Sequence, residues 1–280
     1  MRYSFSGHES FHCKSLWLKK GFDYLCGGKS FNDTDSVALL GVGKNMVAGI
    51  RFWMKAFGLT DTNKIQPIAT YLFNDADGRD PFCEDLATLW LLHFQLVSTG
   101  VASIYKLGFT EFQRERKEFE REQLHSFIKR KCSVPEQKNV YNENTVKKDI
   151  GVFLQNYVTP KDLKQIENFT SLLIALNLIL DIGDGRYRFA ETDTFSVPDA
   201  ILLFALYTIK GGDKVISFDK IQYLSLLYCM PINNLLDRLI DLQDKYSEIM
   251  SYTDNSGIRN VIFKEEVNAF QLLDLYYTKQ

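Results

Sequence analysis

Few of the residues that build disulfide frameworks or keep a chain disordered occur in this sequence of 280 residues. It has five cysteines, which are widely spaced and form no C-x-x-C pair, and only six prolines. An odd, dispersed set of cysteines argues against a disulfide framework or a cysteine-rich zinc site and fits a reducing cytosol. The scarcity of proline, together with 45% hydrophobic residues, excludes a wholly disordered chain.

Long apolar runs are also missing. The longest apolar stretches, at residues 172–180 and 200–207, are far shorter than the roughly 20 residues that span a membrane. Residues 1–8 contain no apolar core of a secretion signal. We therefore expect a soluble, cytoplasmic protein without a membrane partner.

The chain as a whole has no excess of positive charge. Its 33 Lys and Arg residues against 35 Asp and Glu residues give a net charge of −2. A basic coat over the whole surface is therefore excluded, and any contact with nucleic acid must use a local patch. Residues 1–60 supply one, because they hold eight basic and four acidic residues and so carry a charge of +4.

The basic patch coincides with a predicted helix–turn–helix. Asp33 and Asp35 precede a short apolar run as helix N-caps do, and a turn at Gly41-Val42-Gly43 follows. A second helix is then predicted from about Lys44 to Phe57. The order of these elements is that of a DNA-binding helix–turn–helix, in which the second helix enters the major groove.

The predicted second helix has two distinct faces at 100° per residue. Its apolar face comprises Met46, Val47, Ile50, Trp53, Met54 and Phe57. The opposite side carries the candidate DNA-binding residues Lys44, Asn45, Arg51, Phe52 and Lys55, around the small Ala48. Asn45 can contact adenine, Arg51 guanine or phosphate, and Phe52 a base or sugar. The alternative is an ordinary amphipathic surface helix.

The remaining pattern predicts a mainly α fold with small β-hairpins, arranged as tandem winged-helix-like (helix-turn-helix) units. We expect an N-terminal DNA-binding domain over residues 1–100 with a hairpin wing at 65–82, and a linker region at 101–138 containing a charged helix at 111–131. A helical domain over 139–280 would follow, including a helix at 169–180 and a second winged-helix order at 215–263.

The later helices give weaker signals for nucleic-acid binding. Lys147 and Lys148 lie near a predicted helix start at Asn144, where they could hold a phosphate or simply form a solvated helix end. A helix beginning at Pro231 carries Asp237, Asp241 and Asp244, which would repel phosphate. We therefore expect that last helix to be structural or to bind protein.

One cluster of residues has the composition of a catalytic site. Residues 8–12 (HESFH) place His8, Glu9 and His12 together, which could bind a metal or act as base and orienting group in phosphodiester cleavage. Lys14 could steady a phosphate beside them. The alternative is a polar N-terminal segment in which His8 and Glu9 form hydrogen bonds within the fold. No complete phosphate-binding-loop motif or zinc-protease motif occurs.

Three stretches together resemble the SspB family of bacterial DNA phosphorothioation systems. They are residues 6–11 (SGHESF) with 17–21 (WLKKG), residues 40–47 (LGVGKNMV) with 50–53 (IRFW), and residues 80–81 (DP) with 88–93 (TLWLLH). The resemblance implies a DNA-binding component of a restriction–modification-like antiphage defence system. In such systems sulfur replaces a non-bridging phosphate oxygen on one DNA strand.

The resemblance also implies partners and an activity. The partners would be DNA, a cysteine desulfurase, an ATPase and an ATP pyrophosphatase-like sulfur-transfer enzyme. The activity would be DNA nicking, which favours catalytic roles for His8 and Glu9. From the residues alone, His12 is the third catalytic candidate, and a divalent metal ion such as Mg²⁺ or Mn²⁺ could take part, with no metal ligands identified. Lys14 stands where the resemblance leads us to expect an arginine, so a bidentate phosphate contact is lost there. The alternatives are a non-catalytic transcriptional regulator or an assembly adaptor.

Overall fold

The computed structural model of the protein describes residues 2–161, 171–255, 257–264 and 266–278, which are mainly helical with small antiparallel sheets. The chain divides into two compact units, Met1–Ala190 and Glu191–Gln280. Both predicted boundaries, at residues 100 and 138, therefore fall within the first unit. Within the described residues, no single helix is both long and apolar enough to cross a membrane. The consecutive helical segments Leu86–Thr99 and Ser103–Glu115 reach that length and apolar composition only when taken together, and they are bent by 98° relative to each other.

The first unit begins with five helices and one very short strand pair. The helices are α1 (Trp17–Cys26), α2 (Ser36–Leu40), α3 (Lys44–Ala56), α4 (Pro67–Phe73) and α5 (Leu86–Thr99). Strands β1 (Thr60–Asp61) and β2 (Lys64–Ile65) lie between α3 and α4. The predicted helix over residues 44–57 is confirmed, and α2 ends at Gly41, whose φ of 63° is the left-handed conformation that glycine adopts without strain.

Helix α3 crosses α1 at close range because glycines occupy the contact. A Cβ atom at Gly49 would lie 3.0 Å from Cζ3 of Trp17. A Cβ atom at Gly21 would lie 3.0 Å from side-chain atoms of Ile50 and Met54. The two small residues let the helix backbones approach, so that Trp17 and the apolar face of α3 pack in one layer.

The predicted wing at residues 65–82 is wrong. Residues 67–73 form α4, because Pro67 starts a helix and the buried residues at 68, 69, 72 and 73 recur at helical spacing rather than alternating. The hairpin lies earlier, where β1 and β2 are joined by Thr62 and Asn63. Both of these residues have positive φ, as a tight type I′ turn requires.

The second part of the first unit contains the charged stretch and a three-stranded sheet. Its elements are α6 (Ser103–Leu107), a π-helical turn (Gly108–Phe112), α7 (Gln113–Glu115), β3 (Glu118–Glu120), α8 (Arg121–Lys131), α9 (Glu143–Tyr157), β4 (Ile179–Gly183) and β5 (Arg186–Phe189). The strands pair in the order β3-β5-β4, all antiparallel.

Two helix predictions in this part are wrong. Residues 111–131 do not form one helix, because Phe119 is buried between exposed Glu118 and Glu120, the alternation of a strand. Of the predicted helix 169–180, residues 169 and 170 lie outside the described residues. The rest forms a 3₁₀ turn (Ile174–Leu176) that ends at Asn177, whose φ is 50°, and then the start of β4.

Two helices and a hairpin follow one another over residues 218–263 of the second unit, as predicted, but the strand that precedes them at residues 215–217 is not part of the prediction. This unit consists of α10 (Asp199–Lys210), β6 (Val215–Ser217), α11 (Phe218–Leu227), α12 (Ile232–Lys245), β7 (Met250–Asn255), β8 (Ile258–Phe263) and α13 (Ala269–Tyr277). Its sheet has the order β6-β8-β7. The segment from β3 to β5 and the segment from β6 to β8 thus share one arrangement: a strand, two helices and a hairpin whose last strand is central.

The N-terminal segment is held in place by side chains from much later in the chain. Its backbone N–H groups at Tyr3, Ser4, Ser6 and Cys13 donate to side-chain oxygens at distances of 2.8–3.1 Å; the acceptors are Gln137, Ser103, Asp149 and Asn156. This segment has no regular secondary structure of its own, so these bonds replace the ladder that a helix or strand would supply.

Asp149 on α9 is the central acceptor of this arrangement. Its carboxylate accepts the Ser6 N–H at 3.0 Å and lies 2.9 Å from Nε2 of His8. The Ser10 N–H donates to Nδ1 of His8 at 3.1 Å. Because Nδ1 accepts that bond, Nε2 carries the proton and donates to Asp149. Asp149 and His8 are both buried.

We predict that Asp149→Ala lowers the free energy of unfolding by about 3 kcal/mol, since it leaves the buried His8 donor without its acceptor and also removes the acceptor of the Ser6 N–H. Urea unfolding followed by tryptophan fluorescence measures this, because all three tryptophans (Trp17, Trp53 and Trp90) lie in the first unit. As a control in the same unit, Asp77→Ala in an exposed turn should change stability by less than about 0.5 kcal/mol. Equal effects of the two substitutions would contradict this role of Asp149.

Candidate nucleic-acid interface

One face of α3 is exposed and carries the predicted DNA-binding residues. Lys44, Asn45, Arg51 and Lys55 are all exposed, while Ala48 and Phe52 are half-buried. The structure therefore brings five of the eight predicted DNA-binding residues onto one side of one helix, around the small Ala48. This surface, which we call the α3 face, consists of Lys44, Asn45, Ala48, Arg51, Phe52 and Lys55.

The opposite side of α3 is buried, which fixes the orientation of the helix. Trp53 has no exposed surface, and its indole N–H donates to the carbonyl oxygen of Phe11 at 3.1 Å. Its ring stacks on that of His8, with centroids 6.1 Å apart. The other buried residues on this side are Val47, Ile50, Met54 and Phe57. The helix cannot rotate about its axis without exposing them.

The α3 face forms one wall of an open cleft of about 960 Å³. Residues 31–37, which lead into α2, line the opposing side, and Gly7 and Glu9 line the cleft from the N-terminal segment. Asn32 accepts a hydrogen bond from Nη1 of Arg51 at 2.8 Å. This bond holds the guanidinium group in the cleft and leaves its other N–H groups available to a ligand.

The charges around the cleft are mostly positive on the α3 face and negative at the margin. Within the described residues, Lys44 and Lys55 have no ion pair. The carboxylate of Asp33, at the margin of the cleft, accepts a hydrogen bond from the Ser30 N–H at 2.7 Å. Glu9 is exposed. Unpaired ammonium groups on a fixed, exposed helix face are the feature that a polyanion recognises.

The predicted catalytic residues occupy different environments. His8 and His12 are 4% and 6% exposed, and both ring nitrogens of His8 are engaged by Ser10 and Asp149. Glu9 is exposed at the cleft. The hydrogen bonds of His8 therefore hold the N-terminal segment in position. Of the three predicted catalytic residues, only Glu9 is exposed to solvent.

The segment that carries Glu9 has a strained backbone. Ser6, Glu9 and Ser10 have φ values of 77°, 50° and 65°, and Gly7 has a φ of 103°. A Cβ atom at Gly7 would lie 2.5 Å from Cδ2 of Phe52, so glycine is required there. Backbone strain of this kind persists where surrounding contacts hold it, and it is concentrated at functional sites.

The remaining predicted DNA-binding residues do not line the cleft. Lys14 is half-buried and its backbone pairs with Ser171. Helix α9 begins at Glu143, one residue before the predicted start, so Lys147 and Lys148 lie in its second turn. Both are exposed, and Lys147 donates to Glu143, whose pKa it lowers from the ordinary value.

The described residues contain no preformed cluster of metal-binding side chains at the cleft. Among them, no group of three or more His, Cys, Asp or Glu side chains is arranged to hold a metal ion. Burial raises the pKa of the thiols of Cys13, Cys83, Cys132 and Cys26, with nearby acidic groups adding to the shift at Cys83 and Cys26.

Sequence reasoning missed the residues that hold this surface in place. Asn32 and Asp149 lie 19 and 141 residues from their partners Arg51 and His8. Asn32 lies in a turn-rich stretch whose sequence predicts a loop but does not predict its hydrogen bond with Arg51. The one signal at Asp149 is its position on the buried side of an amphipathic helix, where an acidic residue requires a partner.

Comparison with solved structures shows the same fold in SspB. A crystal structure of SspB has 25% sequence identity and a TM-score of 0.85, and the match covers 98% of this chain and 88% of that chain. A magnesium ion-bound SspB structure has 23% identity and a TM-score of 0.82 with the same coverage. No curated protein matches the sequence.

The family comparison covers almost the whole chain. The model of the family described as "protein of unknown function (DUF4007)" matches residues 5–277. The match includes both compact units, the α3 face and the segment that carries His8 and Glu9. The chain therefore belongs to the DUF4007 family.

Proposed function

We propose that the protein binds DNA and that the α3 face is its principal contact surface. The observation that carries this proposal is the exposure of Lys44, Arg51 and Lys55 on one side of a helix whose other side is fully packed. Asn45 and Ala48 add a base-contacting amide and room for close approach, as in a helix lying in the major groove.

We further propose that this DNA binding serves a phosphorothioate modification system of the restriction–modification type. The support is the similarity to SspB in fold, over 98% of the chain. The cysteine desulfurase, the ATPase and the ATP pyrophosphatase-like enzyme would be separate partners.

We propose a winged-helix-like identity for the two repeated segments. The described parts of residues 118–189 and 215–263 each contain a strand, two helices and a hairpin in that order, with sheet orders β3-β5-β4 and β6-β8-β7. The first strand runs directly into a helix in both, at Glu120 and at Ser217. This arrangement supports tandem winged-helix-like units.

DNA nicking is a second candidate function, favoured by the strained segment around Glu9. That segment presents one exposed carboxylate at the edge of the cleft, where a bound phosphodiester would lie beside Lys44 and Arg51. A carboxylate in that position can act as a general base toward water. The alternative is a non-catalytic transcriptional regulator or adaptor, which would bind DNA without cleaving it.

We predict that the double substitution Lys44→Glu/Arg51→Glu reduces affinity for duplex DNA about 10- to 100-fold at 0.1 M salt, because it reverses two charges at the phosphate contact. Fluorescence anisotropy with a labelled duplex measures this. Lys214→Glu/Lys264→Glu is the matched control, since both lysines are exposed in the second unit and the change in net charge is equal. Equal losses in both variants, or no loss in either, would refute the α3 face as the contact.

We predict that purified protein converts supercoiled plasmid to the open-circular form in the presence of Mg²⁺ or Mn²⁺. Glu9→Gln should slow this conversion by about 100-fold. It should not weaken plasmid binding, because the substitution removes a negative charge near phosphate. Gel electrophoresis of the plasmid over time is the readout. Retained binding with no open-circular product from the unsubstituted protein would establish the non-catalytic alternative instead.

A further inference from the structure

Helix α9 carries a second exposed polar stripe in the first unit. Asn144, Lys148 and Gln155 are exposed, and Gly151 lies between the last two at half-buried depth. These residues are spaced by three or four positions and so lie on one side of the helix. We call them the α9 stripe. Within the described residues, Lys148 has no ion pair, and none of the four residues of the stripe is acidic.

The described residues give no structural reason for glycine at position 151. It lies inside a 15-residue helix, its φ is not positive, and a Cβ atom there would meet no atom of the described residues within 4 Å. Alanine would therefore fit and would favour the helix more. Because Gly151 has no side chain, the surface of α9 has a small depression there, at which the backbone of a partner can approach the helix closely.

The equivalent helix of the second repeat shows the opposite surface. Counted from the first helical residue, Asn144, Lys148, Gly151 and Gln155 of α9 correspond to Asn233, Asp237, Ile240 and Asp244 of α12. Both helices follow a strand and a helix and precede a hairpin. The same position in the fold thus carries a cation and a glycine in one repeat, and two carboxylates and an isoleucine in the other. A polyanion is attracted by the first surface and repelled by the second.

The buried side of α9 links this stripe to the segment that lines the cleft. Asp149 binds Ser6 and His8, and Asn156 accepts the Cys13 N–H at 3.1 Å. His8 in turn packs against Phe52 and Trp53 of α3. Helices α3 and α9 are therefore held in one compact unit through buried contacts to the same N-terminal segment.

The hairpin that follows α9 adds a further cation. Arg186 at the start of β5 is exposed and has no ion pair within the described part of the chain. Helix α9 packs against β4, the partner strand of β5. The hairpin as a whole is neutral, because Asp181 and Asp184 balance Arg186 and Arg188, so Arg186 alone is considered as a phosphate contact from it.

We infer that the α9 stripe is a second nucleic-acid contact, at which the sugar–phosphate backbone of the duplex approaches Gly151 and Lys148 holds a phosphate. The inference rests on the proposed function, because it assigns a second surface to the DNA that the α3 face binds. Arg186 contributes a phosphate contact from the hairpin, and the corresponding face of α12 does not take part.

Gly151→Ala separates this role from a structural one, because binding and stability should change in opposite directions. The melting temperature should rise by about 2–4 °C, since alanine favours the helix. Affinity for a 30-base-pair duplex should fall about fivefold or more, because the added methyl group prevents close approach. Lys148→Glu should weaken binding about tenfold and reduce the slope of log affinity against log salt by about 1. Lys214→Glu is the charge-matched control.

The outcomes distinguish this inference from the proposed function. If Gly151→Ala and Lys148→Glu bind as tightly as the unsubstituted protein while Lys44→Glu/Arg51→Glu does not, the α9 stripe is not a contact and the proposed function stands. If none of these variants loses affinity, or the unsubstituted protein does not bind the duplex, both are overturned. A loss of affinity in Gly151→Ala together with a lower melting temperature also overturns the inference, because misfolding then explains the loss.

Discussion

The burial of Trp53 determines where the charges of α3 can lie. The indole is fully buried, hydrogen-bonded to the backbone of Phe11 and stacked on His8. Glycines in α1 and α3 let the two helices meet at this layer. The side chains of an α-helix keep fixed positions around its axis, so burying the apolar side of α3 determines the direction of its polar side. Lys44, Arg51 and Lys55 therefore face solvent. The exposed charge is thus a consequence of core packing.

The two repeated segments show how one arrangement of elements can carry different surfaces. Four buried positions of α9 (146, 149, 150 and 153) correspond to buried positions of α12 (235, 238, 239 and 242), and each helix buries one charged residue, Asp149 in α9 and Arg238 in α12. Asp149 holds the N-terminal segment, whereas Arg238 pairs with Asp199 at the start of α10. Fold alone therefore does not specify function, and the exposed side chains of each repeat have to be considered separately.

The sequence predicts those parts of the structure that depend on local periodicity. The two faces of α3 and the helices of the second unit follow from apolar spacing, and the structure has them where expected. The failures at residues 65–73 and 111–131 arise where the pattern is short or mixed, so that tertiary packing decides between helix and strand. The link between His8 and Asp149 spans 141 residues. No periodic pattern encodes a contact at that separation, so the role of His8 in holding the segment becomes clear only from the fold.

Lysine acetylation measured by mass spectrometry, with and without saturating duplex DNA, tests the central claim most directly because it requires no substitution. Lys44 and Lys55 are exposed on the α3 face, and Lys214 and Lys264 are exposed in the second unit. The account predicts that DNA lowers the acetylation rate of Lys44 and Lys55 several-fold and leaves that of Lys214 and Lys264 unchanged. Unchanged acetylation of Lys44 and Lys55 at full occupancy would contradict it.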